Sequence, residues 1–158
     1  GTVRLESTRY PFYLAGAPKP ASQWGMAQCM PFNEDLNRYR LVVRNAPDKA
    51  KVTWGSTSRE YAKAELEKGV NLAADFVDHP LKAPFEKVLG AVRVQQAYET
   101  TAVKTFLTGM RALRVQFPEN AAEIDALESS VLRKAKDLRE ASRATVVPVV
   151  HSITIEAV

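Results

Sequence analysis

Hydrophobic and polar residues alternate with two different periods along the chain, and the change of period divides it. In residues 1–80 the apolar positions recur mostly at every second residue, as at Tyr39, Leu41 and Val43, which is typical of half-buried strands. Further along, they recur at every third or fourth residue, which predicts helices. We therefore predict a β-rich module over residues 1–80 and a helical hairpin over residues 81–144.

The predicted strands are short and are separated by turn residues. The best of them covers residues 38–44, and residues 50–54 return antiparallel to it after a turn. Residues 145–158 again alternate, around Ile153 and Ile155, and could return to the N-terminal sheet. The pattern predicts an α+β fold, with a small antiparallel β-sandwich-like sheet and a long antiparallel helical hairpin inserted before a final strand.

Two polar residues interrupt the apolar seam of the first predicted helix. Apolar side chains follow helical spacing over residues 92–117, but Gln96 and Glu99 occupy two of the seam positions. The helix therefore either bends there or faces a wet gap at those positions. We predict that Gln96 and Glu99 contact a partner domain. Pro118 then opens the second helix, since proline is well placed in a first helical turn.

Composition excludes several classes of protein. The 158 residues are 46% hydrophobic and 25% charged, and a net charge of +4 is spread evenly over both halves. Such a surface favours solvation over binding of a nucleic acid, which requires clustered basic residues. No apolar run approaches the roughly 20 residues that cross a bilayer. Cys29 has no second cysteine, and two histidines provide too few ligands for a typical zinc site. We predict no cofactor, no metal, no nucleic acid and no membrane span.

The candidate catalytic side chains do not form a recognisable constellation. Serine hydrolysis requires a nucleophile, a base and an orienting group, and no Gly-x-Ser-x-Gly motif is present. Gly55-Ser56 is typical of a hairpin turn. An independent hydrolase using Ser56 or Ser58 with His151 is the weakest hypothesis for this chain. We predict no catalytic, cofactor-binding or metal-binding residue.

Aromatic residues indicate an alternative function. Flat aromatic side chains on a β surface can stack on sugar rings, although most of those in this chain are expected to fill the core. Trp24 is the exception, because it lies in a Pro/Gly-rich loop over residues 15–25. The alternative is therefore a module that binds carbohydrate or a cell-surface ligand, with Trp24 as the candidate contact.

Three stretches of the chain resemble a known protein family. They are residues 31–43, which include Leu-Asn-Arg-Tyr, residues 51–55, and residues 61–73, which include Glu-Leu-Glu-Lys-Gly-Val-Asn-Leu-Ala. Together they resemble the region C-terminal to the catalytic domain of bacterial SGNH/GDSL-type serine esterases. The absence of an initiator methionine at Gly1 agrees with a piece excised from a longer chain.

The resemblance implies an accessory role. The family's Gly-Asp-Ser block is missing, and Phe76 and Pro148 stand where an Asp-x-x-His motif would place its aspartate before His79 and His151. No active-site residue can therefore be carried over. The resemblance implies a non-catalytic domain that stabilises an upstream ester hydrolase domain or walls its cleft, in a parent protein that is secreted or periplasmic.

Overall fold

The computed structural model describes residues 1–12, 25, 27 and 29–158. It confirms the predicted α+β fold, because antiparallel sheets are combined with a long helical hairpin that precedes a final strand. The chain forms two compact units. The first contains residues 1–86 and 148–158, and the second contains residues 87–147.

The first unit is built on a four-stranded antiparallel sheet and a two-stranded ladder. The sheet has the order β1-β6-β3-β4 and the ladder pairs β2 with β5. The strands are β1 (Thr2–Ser7), β2 (Arg40–Leu41), β3 (Lys49–Trp54), β4 (Thr57–Ala62), β5 (Val70–Asn71) and β6 (Val149–Ala157). The C-terminal strand β6 thus lies between β1 and β3. Among its described residues, this unit also contains the short helices α1 (Phe32–Asp35), α2 (Lys63–Lys68) and α3 (Leu72–Asp75).

The strand predicted over residues 38–44 is shortened to the two residues of β2. Its backbone is satisfied by other partners, because the Tyr39 amide donates to the side chain of Asn71 and the Val43 amide donates to the carbonyl of Leu66. Asn45 then takes a positive φ of 54°, which ends the extended conformation. The alternation of this segment was therefore a correct sign of burial but a poor sign of strand length.

The core of the first unit lies on one face of the sheet. On β3 the alternating residues Ala50, Val52 and Trp54 are fully buried, whereas Lys51 and Thr53 face the other side. Their apolar contacts come from the short helices and the loops that follow them, through Leu66, Leu72, Phe76 and Leu81. This packing fixes the position of Trp54 at the end of β3.

The second unit is a helical hairpin. Its first arm contains most of α4 (Lys82–Thr101), a π-helix (Ala102–Leu107) and α5 (Thr108–Gln116). After a 3₁₀ turn (Pro118–Asn120), α6 (Ala121–Ala144) forms the second arm. Within the described residues, no helix is both long and apolar enough to cross a membrane.

The π-helix changes which residues of the first arm face the second. A π turn contains an extra residue, so the inward positions move by one. Ala102, at the start of the π-helix, is buried, while Val103, which the apolar spacing placed in the seam, is 58% exposed. The inward positions already lie one residue ahead of the predicted ones before this turn, because Gln95 and not Gln96 contacts Ser142 of the second arm. The backbone remains α-helical through Gln96 and Glu99, and the irregularity follows them instead of coinciding with them.

Several polar contacts join the two arms of the hairpin. Ser142 Oγ donates to Gln95 Oε1 at 2.6 Å, and Arg139 Nη2 donates to Glu99 Oε1 at 2.8 Å. Nearer the turn, Arg114 forms ion pairs with Asp125 and Glu128. Of the described residues in this unit, only Ala102, Ile124 and Ser142 are classed as buried. At the two predicted seam positions, Glu99 therefore bonds within the hairpin, whereas Gln96 stays exposed.

Candidate functional site

Three side chains of the first unit meet around the imidazole of His151. Ser7 ends β1, Tyr39 precedes β2, Trp54 ends β3, and His151 lies near the start of β6. In the sheet register Leu5 is opposite His151, so Ser7 lies two residues further along the same face. The central place of β6 brings side chains from both of its neighbours to one point.

The polar atoms of this cluster lie within hydrogen-bond distance of each other. His151 Nε2 is 3.0 Å from Ser7 Oγ and 3.0 Å from Tyr39 Oη, and the two hydroxyl oxygens are 3.1 Å apart. On the other side of the ring, Trp54 Nε1 donates to His151 Nδ1 at 3.1 Å. His151 and Trp54 are buried, whereas Ser7 and Tyr39 are half-buried.

The indole of Trp54 fixes the tautomer of His151. An indole N–H can only donate, so Nδ1 must be the unprotonated nitrogen. The neutral imidazole therefore carries its proton on Nε2, which donates to Ser7 or Tyr39. A general base must accept the serine proton through the nitrogen that faces the hydroxyl. The Ser7–His151 pair has the distance of a catalytic dyad, but in this tautomer Nε2 already carries a proton and cannot accept the proton of Ser7.

A second buried histidine lies beside Trp54. The rings of His79 and Trp54 stack with centroids 4.6 Å apart and planes 8° from parallel. The Nδ1 atom of His79 accepts a hydrogen bond from the Leu81 amide at 3.2 Å. Burial lowers the pKa of His79 to about 4 and also lowers the pKa of His151. Both rings are therefore neutral at pH 7, and the cluster is a buried polar arrangement without charge.

The serines considered for catalysis lie elsewhere. Ser58 Oγ is 2.8 Å from Thr53 Oγ1, on the face of the sheet opposite Trp54. Ser56 lines a small pocket of about 160 Å³ with Gly55, Asp78, His79 and Pro80. The structure therefore brings His151 together with Ser7 and not with either predicted serine.

The two polar residues of the helical seam share a depression but differ in their contacts. Gln96 is exposed, whereas Glu99 accepts hydrogen bonds from Gln95 at 3.3 Å and from Arg139 at 2.8 Å. Both line a shallow pocket of about 410 Å³ together with Thr100, Val103 and Lys104. Gln96 is thus available to a partner, and Glu99 is engaged within the hairpin.

The candidate ligand contact Trp24 lies outside the described residues. Among the aromatic residues that the structure describes, Trp54 is fully buried and cannot stack on a sugar. Phe12 is 43% exposed and contacts the rings of Phe32 and Phe85, with centroids 5.4 and 5.7 Å away. Within the described part of the chain, no three histidine, cysteine or carboxylate side chains gather as metal ligands.

Sequence reasoning missed the contact of Ser7 and Tyr39 with His151. A usable signal was present in the strand alternation. Ser7 shares its face with Leu5, and His151 shares its face with Ile153, so each is a polar residue at an inward position. Two such residues on strands of one sheet are candidates for a mutual contact, because buried polar groups require partners.

Comparison with known proteins identifies a fold and no family. No family model matches the chain, and no curated protein is significantly similar to it. A solved structure described as BT4096, a gut microbial diltiazem-metabolizing enzyme, superposes with a TM-score of 0.59 at 14% sequence identity. The match covers 99% of this chain and 43% of that one, so the chain spans less than half of the enzyme it resembles.

Proposed function

We propose that this chain is a non-catalytic C-terminal accessory domain of an SGNH/GDSL-type esterase. It would stabilise an upstream catalytic domain or wall its cleft, in a protein that is exported to the periplasm or the medium. The proposal that the chain is non-catalytic rests on the hydrogen bond from Trp54 to His151 Nδ1. It holds the imidazole protonated on the nitrogen that faces Ser7, so the serine–histidine pair that the structure describes at 3.0 Å has a structural role.

The stretches that resemble the esterase family provide internal architecture, which supports an accessory role. Asn71 Nδ2 donates to the carbonyls of Asn33 and Asn37 at 2.9 and 2.8 Å, while its Oδ1 accepts from the Tyr39 amide. The Asn37 side chain is buried and accepts from the Phe12 amide. These asparagines satisfy backbone groups where the chain changes direction. A likeness to part of a longer enzyme chain also supports the proposal.

The proposed partner contact is the exposed face of the first hairpin arm around Gln96. This residue lies beside Val103, which exposes more than half of its surface, in the depression described above. An exposed depression that combines a valine with an amide, a hydroxyl and two charged groups can contact another protein domain, since the rims of such interfaces are polar. Glu99 lines the same depression and is therefore part of the proposed contact surface. Its carboxylate accepts a hydrogen bond from Arg139, which holds it in place within the hairpin.

The isolated chain is expected to leave p-nitrophenyl acetate unhydrolysed above the background rate. In a longer polypeptide that includes the proposed upstream domain, hydrolysis should depend on a serine of that domain. Ser7→Ala should then change kcat by less than twofold, because Ser7 only accepts or donates within a structural cluster. A Ser7-dependent activity of the isolated chain would overturn the proposal. Circular dichroism of Ser7→Ala provides the control for folding.

A carbohydrate-binding module is the second candidate function, and the exposure of Phe12 beside two further rings favours it. Since Trp54 is buried, a fluorescence shift on adding soluble xylan must arise from Trp24. We expect the shift to disappear in Trp24→Ala and to persist in Trp54→Phe, provided that both variants fold. A shift that is absent from the unmodified chain across a panel of soluble polysaccharides would exclude this candidate.

A further inference from the structure

Strand β1 forms an outer edge of the four-stranded sheet, with β6 as its neighbour. The Ile155 amide donates to the Gly1 carbonyl at 2.7 Å, so the odd-numbered residues of β1 bond to β6. The amides and carbonyls of Thr2, Arg4 and Glu6 therefore point away from the sheet. Among the described residues, none forms a hydrogen bond with these backbone groups. Unpaired groups along a sheet edge are able to bind a further strand.

The charged side chains of β1 favour one alignment with a second copy of the same strand. Arg4 and Glu6 are exposed on the outer face of the sheet, and neither forms an ion pair with a described residue. Antiparallel pairing with Leu5 opposite Leu5 places each Arg4 opposite Glu6 of the other copy. Cross-strand pairs of opposite charge stabilise a sheet, and like charges directly opposite each other destabilise it. The nearest alternatives that keep the outward backbone groups paired are shifts by two residues, which set Arg4 opposite Arg4 or Glu6 opposite Glu6. Charge therefore selects the first alignment.

The inner side of the same edge exposes apolar surface. Val3 is 48% exposed, and Leu5 is half-buried although it packs against the core. In this alignment Val3 lies opposite Ser7 of the second copy, and the two Leu5 side chains are neighbours. The two Leu5 residues form a pair without backbone hydrogen bonds between them, the kind of pair whose side chains lie closest. A second strand would therefore cover apolar surface that the single sheet leaves open.

The opposite edge of the sheet, strand β4, is less suited to pairing with a copy of itself. The Ala62 amide there already donates to Glu65 Oε2 at 2.8 Å. Pairing around the middle of β4 would set Arg59 opposite Arg59 or Glu60 opposite Glu60, and like charges in these positions repel. Of the two edges, β1 is therefore the one that accepts a second copy.

We propose that two copies of this chain associate through β1 and join their four-stranded sheets into one antiparallel sheet, with a two-fold axis at Leu5. Each copy offers the same strand, so the contact closes on itself and stops at a dimer. The contact uses residues 3–7 of each copy, all within the first unit. This dimer is independent of the proposed function, since its strands would pair whether or not the chain serves an esterase.

Charge reversal tests the alignment. Arg4→Glu brings carboxylates together at both ends of the paired strands, and Glu6→Arg brings guanidinium groups together there. Each variant alone should raise the dissociation constant of the dimer about tenfold, as measured by analytical ultracentrifugation over a range of concentrations. Both side chains are exposed and have no ion-pair partner among the described residues of their own copy, so circular dichroism should show that the variants remain folded.

Two controls restore the opposite charges. An equimolar mixture of Arg4→Glu and Glu6→Arg should dimerise as tightly as the unmodified chain, because each copy then supplies the charge that the other lacks. The double variant Arg4→Glu/Glu6→Arg exchanges the two charges at unchanged net charge and should also dimerise as tightly. A chain that stays monomeric at millimolar concentration would overturn the inference, as would a dimer that tolerates both single reversals. Assemblies that grow beyond two copies would overturn it too, since they require a head-to-tail contact.

Amide hydrogen exchange, measured by NMR, locates the contact. The Arg4 and Glu6 amides should exchange more slowly as the concentration rises, whereas the Leu5 amide already bonds to β6 and should change little. Protection of Arg4 that is independent of concentration would show that another segment of the same chain covers the edge. Protection that rises at Glu60 instead would place the contact on β4. Either result would overturn the inference.

Discussion

Replacing Trp54 with alanine is expected to lower the free energy of unfolding of the first unit by about 3–5 kcal/mol, the usual cost of emptying a large buried aromatic site. Trp54 is fully buried, stacks with Tyr39 and His79, and donates to His151. Since small domains are stable by only about 5–15 kcal/mol, this substitution should remove much of the unit's stability. Urea denaturation followed by circular dichroism measures the effect.

Two control variants separate the contributions of Trp54. Thr53→Ala alters the neighbouring residue on the opposite face of β3 and should cost less than about 1 kcal/mol. Trp54→Phe retains an aromatic ring but leaves His151 Nδ1 without its donor, at a cost of about 1–3 kcal/mol. If Trp54→Ala were no more destabilising than Thr53→Ala, the assignment of Trp54 as the centre of the core would be wrong.

Acidification from pH 6.5 to pH 4 is expected to destabilise the first unit through His79. Burial holds the pKa of His79 near 4, compared with about 6.5 in an unfolded chain. Below pH 6.5 the unfolded state therefore binds the proton and the folded state does not. The contribution of His79 to the free energy of unfolding is therefore fully present above pH 6.5. It is lost as the pH falls, and the loss reaches about 3 kcal/mol at pH 4. The lowered pKa of His151 acts in the same direction.

The slope of stability against pH between 6.5 and 5 is the informative measurement, because most carboxylates titrate below this window. Besides burial, which lowers the pKa of His79 most, Asp78 raises this pKa, and Lys82 and His151 lower it. His79→Phe keeps a ring beside Trp54 but cannot bind a proton. Its unfolding free energy should depend less on pH than that of the unmodified chain. An unchanged slope in His79→Phe would show that His79 is not the titrating group.

The period of the apolar residues was sufficient to predict the fold class. Alternation in the N-terminal part and helical spacing over residues 92–117 both reflect which face of each element is buried, and the sheet and the hairpin follow from them. Element lengths were less predictable. Side-chain acceptors such as Asn71 replaced ladder partners and shortened β2, and no property of single residues marks the π turn after Thr101.

The candidate site was less predictable than the fold, because it depends on register. His151 was considered as a base, but its partner is set by the place of β6 between β1 and β3, which aligns Leu5 and not Ser56 with it. The tautomer depends on Trp54, whose N–H reaches Nδ1 only in the folded sheet. The residue type alone allows His151 to act as a base. Its contacts in the folded sheet make it a hydrogen-bond donor toward the two hydroxyl groups.

The polar contacts between the two arms of the helical hairpin specify how the arms align, but they add little to the strength of the association between the arms. Pairs such as Ser142 with Gln95 and Arg139 with Glu99 can form in only one alignment of the two arms, so a slide by one turn would separate each donor from its acceptor. Each such contact contributes little net free energy, about 0.5–1.5 kcal/mol for a hydrogen bond and less for an exposed ion pair. With few fully buried apolar residues, the hairpin is expected to open locally at a lower free-energy cost than the sheet core, and its polar pairs favour one alignment of the arms when it closes.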